Sequence, residues 1–136
     1  MDTVVVSNRL QNIAKDLAYM SEHHFRVGAI IVKGRRVLAT GYNKTKTHTV
    51  IKNKLDRYSL CDKLHAEMAA ILSARTDIAG AKLYILRICT DNEFGTGMSK
   101  PCNLCMRLIR NAGIRDVFYT TGDPKSPWTK ERIINS

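Results

Sequence analysis

Val27-Gly28-Ala29-Ile30-Ile31-Val32 is followed by Lys33-Gly34-Arg35 and then by Arg36-Val37-Leu38-Ala39-Thr40-Gly41-Tyr42-Asn43. The first run has no polar interruption, the pattern of a strand covered on both faces rather than one. Lys33-Gly34-Arg35 turns the chain, and the second run returns as a partner strand, so the stretch reads as a β-hairpin whose first strand is central. Upstream, residues 6–20 carry Leu10, Ile13, Ala14, Leu17 and Met20 on one helical stripe, with Ser7 as the N-cap. Downstream, residues 65–75 read as a helix with Met68, Ala69, Ile71 and Leu72 apolar, closed by Gly80. Residues 81–89 form a strand. Residues 90–100, with Gly95 and Gly97, form a loop too polar for the core. Pro101 suits the first position of a further helix, which runs through Met106, Leu108 and Ile109 and ends at Gly113. Residues 116–121 are a fourth strand, and residues 122–136 hold a turn with either a short helix or a strand. The order α-β-β-α-β-α-β predicts an α/β domain with helices on both faces of its sheet.

The chain has 136 residues, 44% of them apolar and 25% charged, with no repeat or low-complexity tract. These values exclude wholesale disorder and predict one domain over residues 1–136. The longest apolar run is far short of the roughly 20 residues a membrane span needs. The N-terminus lacks a basic start and an apolar signal segment, so a soluble, cytoplasmic protein is expected. There are 22 Lys and Arg against 12 Asp and Glu, a formal charge of +10. Lys33, Arg35, Arg36, Lys44, Lys46, Lys52, Lys54, Arg57 and Lys63 face only Asp56 and Asp62 in residues 33–63. Such a cluster suits a nucleotide, a nucleic acid or a phosphorylated metabolite, and is also what a solvated surface looks like.

Four cysteines in a reducing compartment point to a metal site or free thiols rather than disulfides. Cys102 and Cys105 are three apart at a helix start, so both sulfurs leave its first turn on the same side. The helix N-terminus also favours the thiolate that a metal requires. With His65, at the start of another helix, they make three zinc ligands and leave a fourth position open for water. Glu67 lies two residues on, within reach of that water without being a ligand. The alternative is a closed, structural Cys₃His site completed by Cys61, four residues before His65. Cys89, in an apolar strand, reads as a core thiol. His23, His24 and His48 lack ligand spacing and read as surface histidines, although His48 in the basic loop is placed to meet a phosphate.

The pair His65-Ala66-Glu67 and Pro101-Cys102-Asn103-Leu104-Cys105, an H-x-E with a P-C-x-x-C, resembles the zinc-dependent cytidine/deoxycytidylate deaminase superfamily. The preceding Val27–Val32 run and Gly41-Tyr42-Asn43, in this order, resemble its deoxycytidylate deaminase branch over roughly residues 7–121. The resemblance implies a three-layer α-β-α cytidine deaminase-like fold, with a mixed sheet of four to five strands and both zinc-bearing helices on one side. It implies a Zn²⁺ hydrolase converting dCMP to dUMP, with Glu67 shuttling protons between water, the ring nitrogen N3 of cytosine and the departing amine. It also implies substrate contacts from Asn43 to the sugar and from the Ala66 N–H and a carbonyl near Lys100 to the base, and it implies a homo-oligomer. Two features depart from the family: a longer loop over residues 89–100, expected to lid or reshape the pocket, and a short stretch after the fourth strand, from which a shortened final strand and helix are expected.

Asn43 at a strand end equally suits simple turn service. Phe118 and Tyr119 alternate on their strand, so that one faces the core and the other, Tyr119, is free to stack on a base. Trp128 suits packing or an oligomer contact. For the substrate, a mononucleotide needs a few cations near one phosphate, which Lys44, Lys46 or His48 supply. Cytosine or adenine within single-stranded DNA or RNA is the alternative. That substrate requires a basic track with aromatic platforms, and only Tyr42 and Tyr58 lie in the cluster.

Overall fold

The computed structural model describes residues 4–21, 25–44, 65–89 and 95–133. The expectations for His23, His24, Lys46, His48, Tyr58 and Cys61 fall outside these residues. Along the chain the elements are α1 (Asn8–Tyr19), β1 (Arg26–Lys33), β2 (Arg36–Tyr42), α2 (Ala66–Ser73) and β3 (Lys82–Ile88). There follow β4 (Thr96–Gly97), α3 (Asn103–Asn111), β5 (Asp116–Thr120) and β6 (Trp128–Arg132). The sheet order is β2-β1-β3-β5-β6, with β4 paired to β3. All pairs are antiparallel except β3 with β5, so the sheet is mixed.

The hairpin reading of residues 27–43 holds. β1 lies between β2 and β3, which is why Ala29, Ile30, Ile31 and Val32 are all buried. Alternation along each strand divides the core into two layers. Ile30, Val32, Tyr84, Leu86, Phe118 and Trp128 face α1, where they meet Ala14 and Ala18. Ala29, Ile31, Leu83, Ile85, Val117 and Tyr119 face the other side, against Ala66 and Ala70 of α2 and Ile109 of α3. Met68 and Cys105 pack between those two helices. The expected α-β-α layering is therefore present, with α2 and α3 on one face. No helix among the described residues is long and apolar enough to cross a membrane.

Two glycines of the hairpin set how closely the helices approach. A Cβ at Gly28 would stand 2.1 Å from the Ala14 carbonyl oxygen and 2.8 Å from the Ala18 nitrogen of α1. A Cβ at Gly41 would stand 2.4 Å from the Ala70 nitrogen and 2.6 Å from the Ala66 carbonyl oxygen of α2. Backbone therefore rests on backbone at both faces of the sheet, and only glycine leaves the room.

The structure corrects several expectations. The undecided segment 122–136 contains a strand, β6, paired along the whole of β5. β5 is thereby interior, and all five of its residues are buried. Tyr119 is consequently a core residue on the α2–α3 side, its hydroxyl donating to Glu131 Oε1 at 3.1 Å, and it does not stack on a base. Phe118 is equally buried on the opposite side, stacked on Tyr84 at 4.5 Å. Trp128 is packing, at 4% exposure. The loop over 90–100 contains β4, and Ser99 within it is buried. Pro101 precedes its helix rather than opening it, because Cys102 takes the N-cap. Ser7 caps α1 as expected, accepting from the Leu10 N–H at 3.2 Å.

Overpacking of this kind costs about 1–3 kcal/mol, more where the obstacle is backbone. Gly28→Ala and Gly41→Ala should both lower the urea midpoint. Only Gly41→Ala should also weaken zinc binding by the folded protein, because of the two helices that these glycines seat only α2 carries a candidate ligand. Chelator competition checks this, and equal loss of affinity in both variants would count against the assignment.

Candidate metal centre and active site

Two helix N-termini meet on one face of the sheet. His65 is the N-cap of α2, with extended backbone (φ −75°, ψ 156°), and its side chain caps nothing. The imidazole turns toward α3 instead. Cys102 is the N-cap of α3 and its sulfur accepts from the Cys105 N–H at 3.5 Å, doing for the helix what a serine oxygen usually does. Cys105 lies on the third helical residue, which brings its sulfur to the same side.

His65 Nδ1 is 3.3 Å from Cys105 Sγ and 3.7 Å from Cys102 Sγ. All three candidate ligand atoms lie within 4.8 Å of one another. Around a tetrahedral zinc, with bonds of about 2.3 Å to sulfur and 2.0–2.1 Å to nitrogen, N and S ligands stand about 3.6 Å apart. The spacing and the soft N/S₂ donor set both fit the ion. Among the described residues no other His, Cys, Asp or Glu joins this group. The closed Cys₃His alternative rests on Cys61, outside the described residues.

The thiols are electrostatically unequal. Cys102 is drawn down to about 5, chiefly because the Cys105 thiol donates to its sulfur, with backbone N–H groups at the helix start and His65 adding to the effect. Cys105 is pushed far up, first by giving that hydrogen bond and then by burial. Cys102 is therefore the more acidic of the two sulfurs, and both would be thiolates when holding a metal.

Glu67 is in the first turn of α2, buried at 6% exposure. Burial raises its carboxyl above the ordinary range. Its own backbone N–H, His65 and the Cys105 thiol pull the other way without cancelling the effect. It lines a cavity of about 310 Å³ together with His65, Ala66 and Cys102. That volume is in the range of pockets for one small ligand.

Asn43 and Lys100, both expected at the substrate, also line this cavity, as do Lys44 and Ser99. Asn43 serves the local backbone as well: its Oδ1 accepts from the Val27 N–H at 2.9 Å and its Nδ2 donates to the Phe25 carbonyl. One amide hydrogen and one lone pair remain for a ligand. Ala66 is the first helical residue, so its N–H has no partner within the helix. Lys100 Nζ pairs with Glu131 at 3.6 Å, the same carboxylate that receives the Tyr119 hydroxyl. Tyr119 itself is absent from the cavity wall. Val27, Phe25 and Met98 line it too. The exposed Phe25 is a wall residue that its sequence context did not reveal.

Residues 6–121 match the family described as the cytidine and deoxycytidylate deaminase zinc-binding region. The deoxycytidylate deaminase of Mycobacterium phage D29 is 31% identical over 110 residues, covering 69% of this chain and 77% of that protein. The deoxycytidylate deaminase of Schizosaccharomyces pombe is 32% identical over 108 residues, and this chain spans only 30% of its length. In three dimensions the chain is similar to the apo dCMP deaminase of cyanophage S-TIM5, with a TM-score of 0.59, 24% identity and 88% of both chains covered.

Ligand substitutions test the centre. His65→Ala and Cys102→Ser should leave less than stoichiometric zinc by metal analysis, whereas Cys61→Ser should retain it. Loss of zinc from Cys61→Ser equal to that from Cys102→Ser would establish the closed site instead.

Proposed function

We propose that this chain, which belongs to the cytidine and deoxycytidylate deaminase family of zinc-dependent enzymes, converts dCMP and water to dUMP and ammonia. The observation that carries the reading is a buried carboxyl, Glu67, beside a three-ligand N/S₂ centre on the wall of a cavity that also exposes Asn43, Lys44 and Lys100.

His65, Cys102 and Cys105 hold the zinc. When bound, it supplies a Lewis acid that makes hydrolysis by water feasible at neutral pH. Glu67 moves the protons: it accepts one from the attacking water and delivers it to N3 of cytosine, then takes the second from the oxygen now bonded to C4 and passes it to the amine, which leaves as ammonia. Burial raises the Glu67 carboxyl above its ordinary pKa, which favours a group that must carry a proton between two acceptors. The Ala66 N–H and the backbone at Lys100 orient the base. Asn43 presents its remaining amide hydrogen to the sugar. Lys44 and Lys100 are the described lysines on the cavity wall, and they receive the phosphate; His48, expected at the phosphate, lies outside the described residues. Within this reading the chain works in the cytoplasm as a homo-oligomer, in which a neighbour's loops complete the pocket.

A mononucleotide is favoured over single-stranded nucleic acid because the cavity is of single-ligand size. Ammonia release from deoxycytidine, dCMP, dCTP and a single-stranded oligonucleotide tests this. dCMP should turn over best, and Lys44→Ala with Lys100→Ala should raise KM for dCMP while leaving deoxycytidine little changed. Oligonucleotide deamination with no reaction on dCMP would overturn the reading. Glu67→Gln should keep zinc and lose at least a hundredfold in kcat, in line with general acid–base contributions of about 10²–10⁴.

A further inference from the structure

We infer that the buried hydroxyls of Ser99 and Thr120 form a staple that positions the Cys102 end of the zinc site. The parallel pair β3–β5 is in register from Lys82 and Asp116 as far as Ile85 and Tyr119. Beyond that point segment 97–99 enters between the carboxyl ends of the two strands. This segment leads, within three residues, from Ser99 to Cys102.

Main-chain pairing alone does not hold it there. The Ser99 N–H donates to the Thr120 carbonyl at 2.9 Å, and Met98 bridges to Thr121. The remaining polar groups are met by side chains. The Thr120 N–H donates to Ser99 Oγ at 2.9 Å, and the Arg87 N–H donates to Thr120 Oγ1 at 3.2 Å. Thr120 Oγ1 donates in turn to the Gly97 carbonyl at 2.6 Å. Ser99 Oγ lies 3.0 Å from the Ile85 carbonyl and 2.9 Å from Thr120 Oγ1, and its single proton serves these acceptors.

Two hydroxyls therefore satisfy backbone groups from β3, from β5 and from segment 97–99. Thr120 is fully buried, so water does not replace its hydroxyl, and Ser99 is buried at the edge of the cavity. Each hydroxyl links a donor to an acceptor on a neighbouring strand. Ser99→Ala removes the link between the Thr120 N–H and the Ile85 carbonyl, and Thr120→Val that between the Arg87 N–H and the Gly97 carbonyl. Each pair then regains contact by movement of the inserted segment, and Pro101 and Cys102 move with it. Ser99 and Thr120 are thus positioning residues, acting on the metal through the Cys102 ligand.

The readout is zinc affinity, independent of substrate and turnover, so the result stands whatever the enzyme deaminates. Chelator competition is carried out on folded protein well below the unfolding transition. Ser99→Ala and Thr120→Val should each weaken zinc binding by about tenfold, the scale seen when groups that orient a metal ligand are removed. Thr120→Ser, which keeps the hydroxyl, should retain the parent affinity. Ile30→Val, a core truncation on the α1 side, should lower thermal stability without changing affinity. Should Ser99→Ala fail to fold, the comparison of Thr120→Val with Thr120→Ser decides. Parent-like affinity in Thr120→Val would overturn the proposal, as would a loss in Ile30→Val equal to that in Thr120→Val.

Discussion

The space where Gly41 lacks a side chain is filled by the backbone of helix α2, and the site depends on that contact. With Ala66 and Ala70 resting on β2, the N-terminus of the helix is held against the sheet, and His65, Ala66 and Glu67 line one wall of the cavity. Burial of Glu67 follows from the same seating, and its raised pKa follows from the burial. Gly28 does the equivalent for α1 on the opposite face, where no candidate ligand lies among the described residues. The two glycines have the same packing logic and different functional weight.

The opposite half of the site is held by polar rather than apolar contact. α3 begins where the chain leaves the crevice between the carboxyl ends of β3 and β5, the place where open α/β sheets commonly bind ligands. Its N-cap is a metal ligand, so helix capping and metal binding draw on the same sulfur. The hydrogen bond from the Cys105 thiol and the N–H groups at the start of α3 lower the pKa of Cys102, which favours the thiolate that a metal requires. Pairing of Lys100 with Glu131, and of Glu131 with Tyr119, ties the cavity wall to the core on the same side.

The legible features were those with local signals. An uninterrupted apolar run, a turn with glycine and a return strand specify the hairpin, and two cysteines three apart at a helix start specify where their sulfurs meet. What was missed depends on partners distant in sequence. Ser99 reads as loop because it stands among polar residues and glycines. Its burial is made by Thr120 and Ile85, 21 and 14 residues away. Tyr119 was expected at the substrate because it alternates with Phe118, one facing the core and the other free; helices cover both faces of β5, so both rings are buried, and β6 supplies the Glu131 that takes the Tyr119 hydroxyl. Asn43 suited two roles, turn service and sugar contact, and its geometry accommodates both at once.

The central claim is an open zinc site of one histidine and two cysteines, with a coordination position left for water. X-ray absorption at the zinc edge of the metal-loaded protein tests it most directly. The account predicts two sulfur neighbours at about 2.3 Å and two nitrogen or oxygen neighbours at about 2.0–2.1 Å. Three sulfur neighbours would mean a closed structural centre and would contradict the reading of this chain as a deaminase.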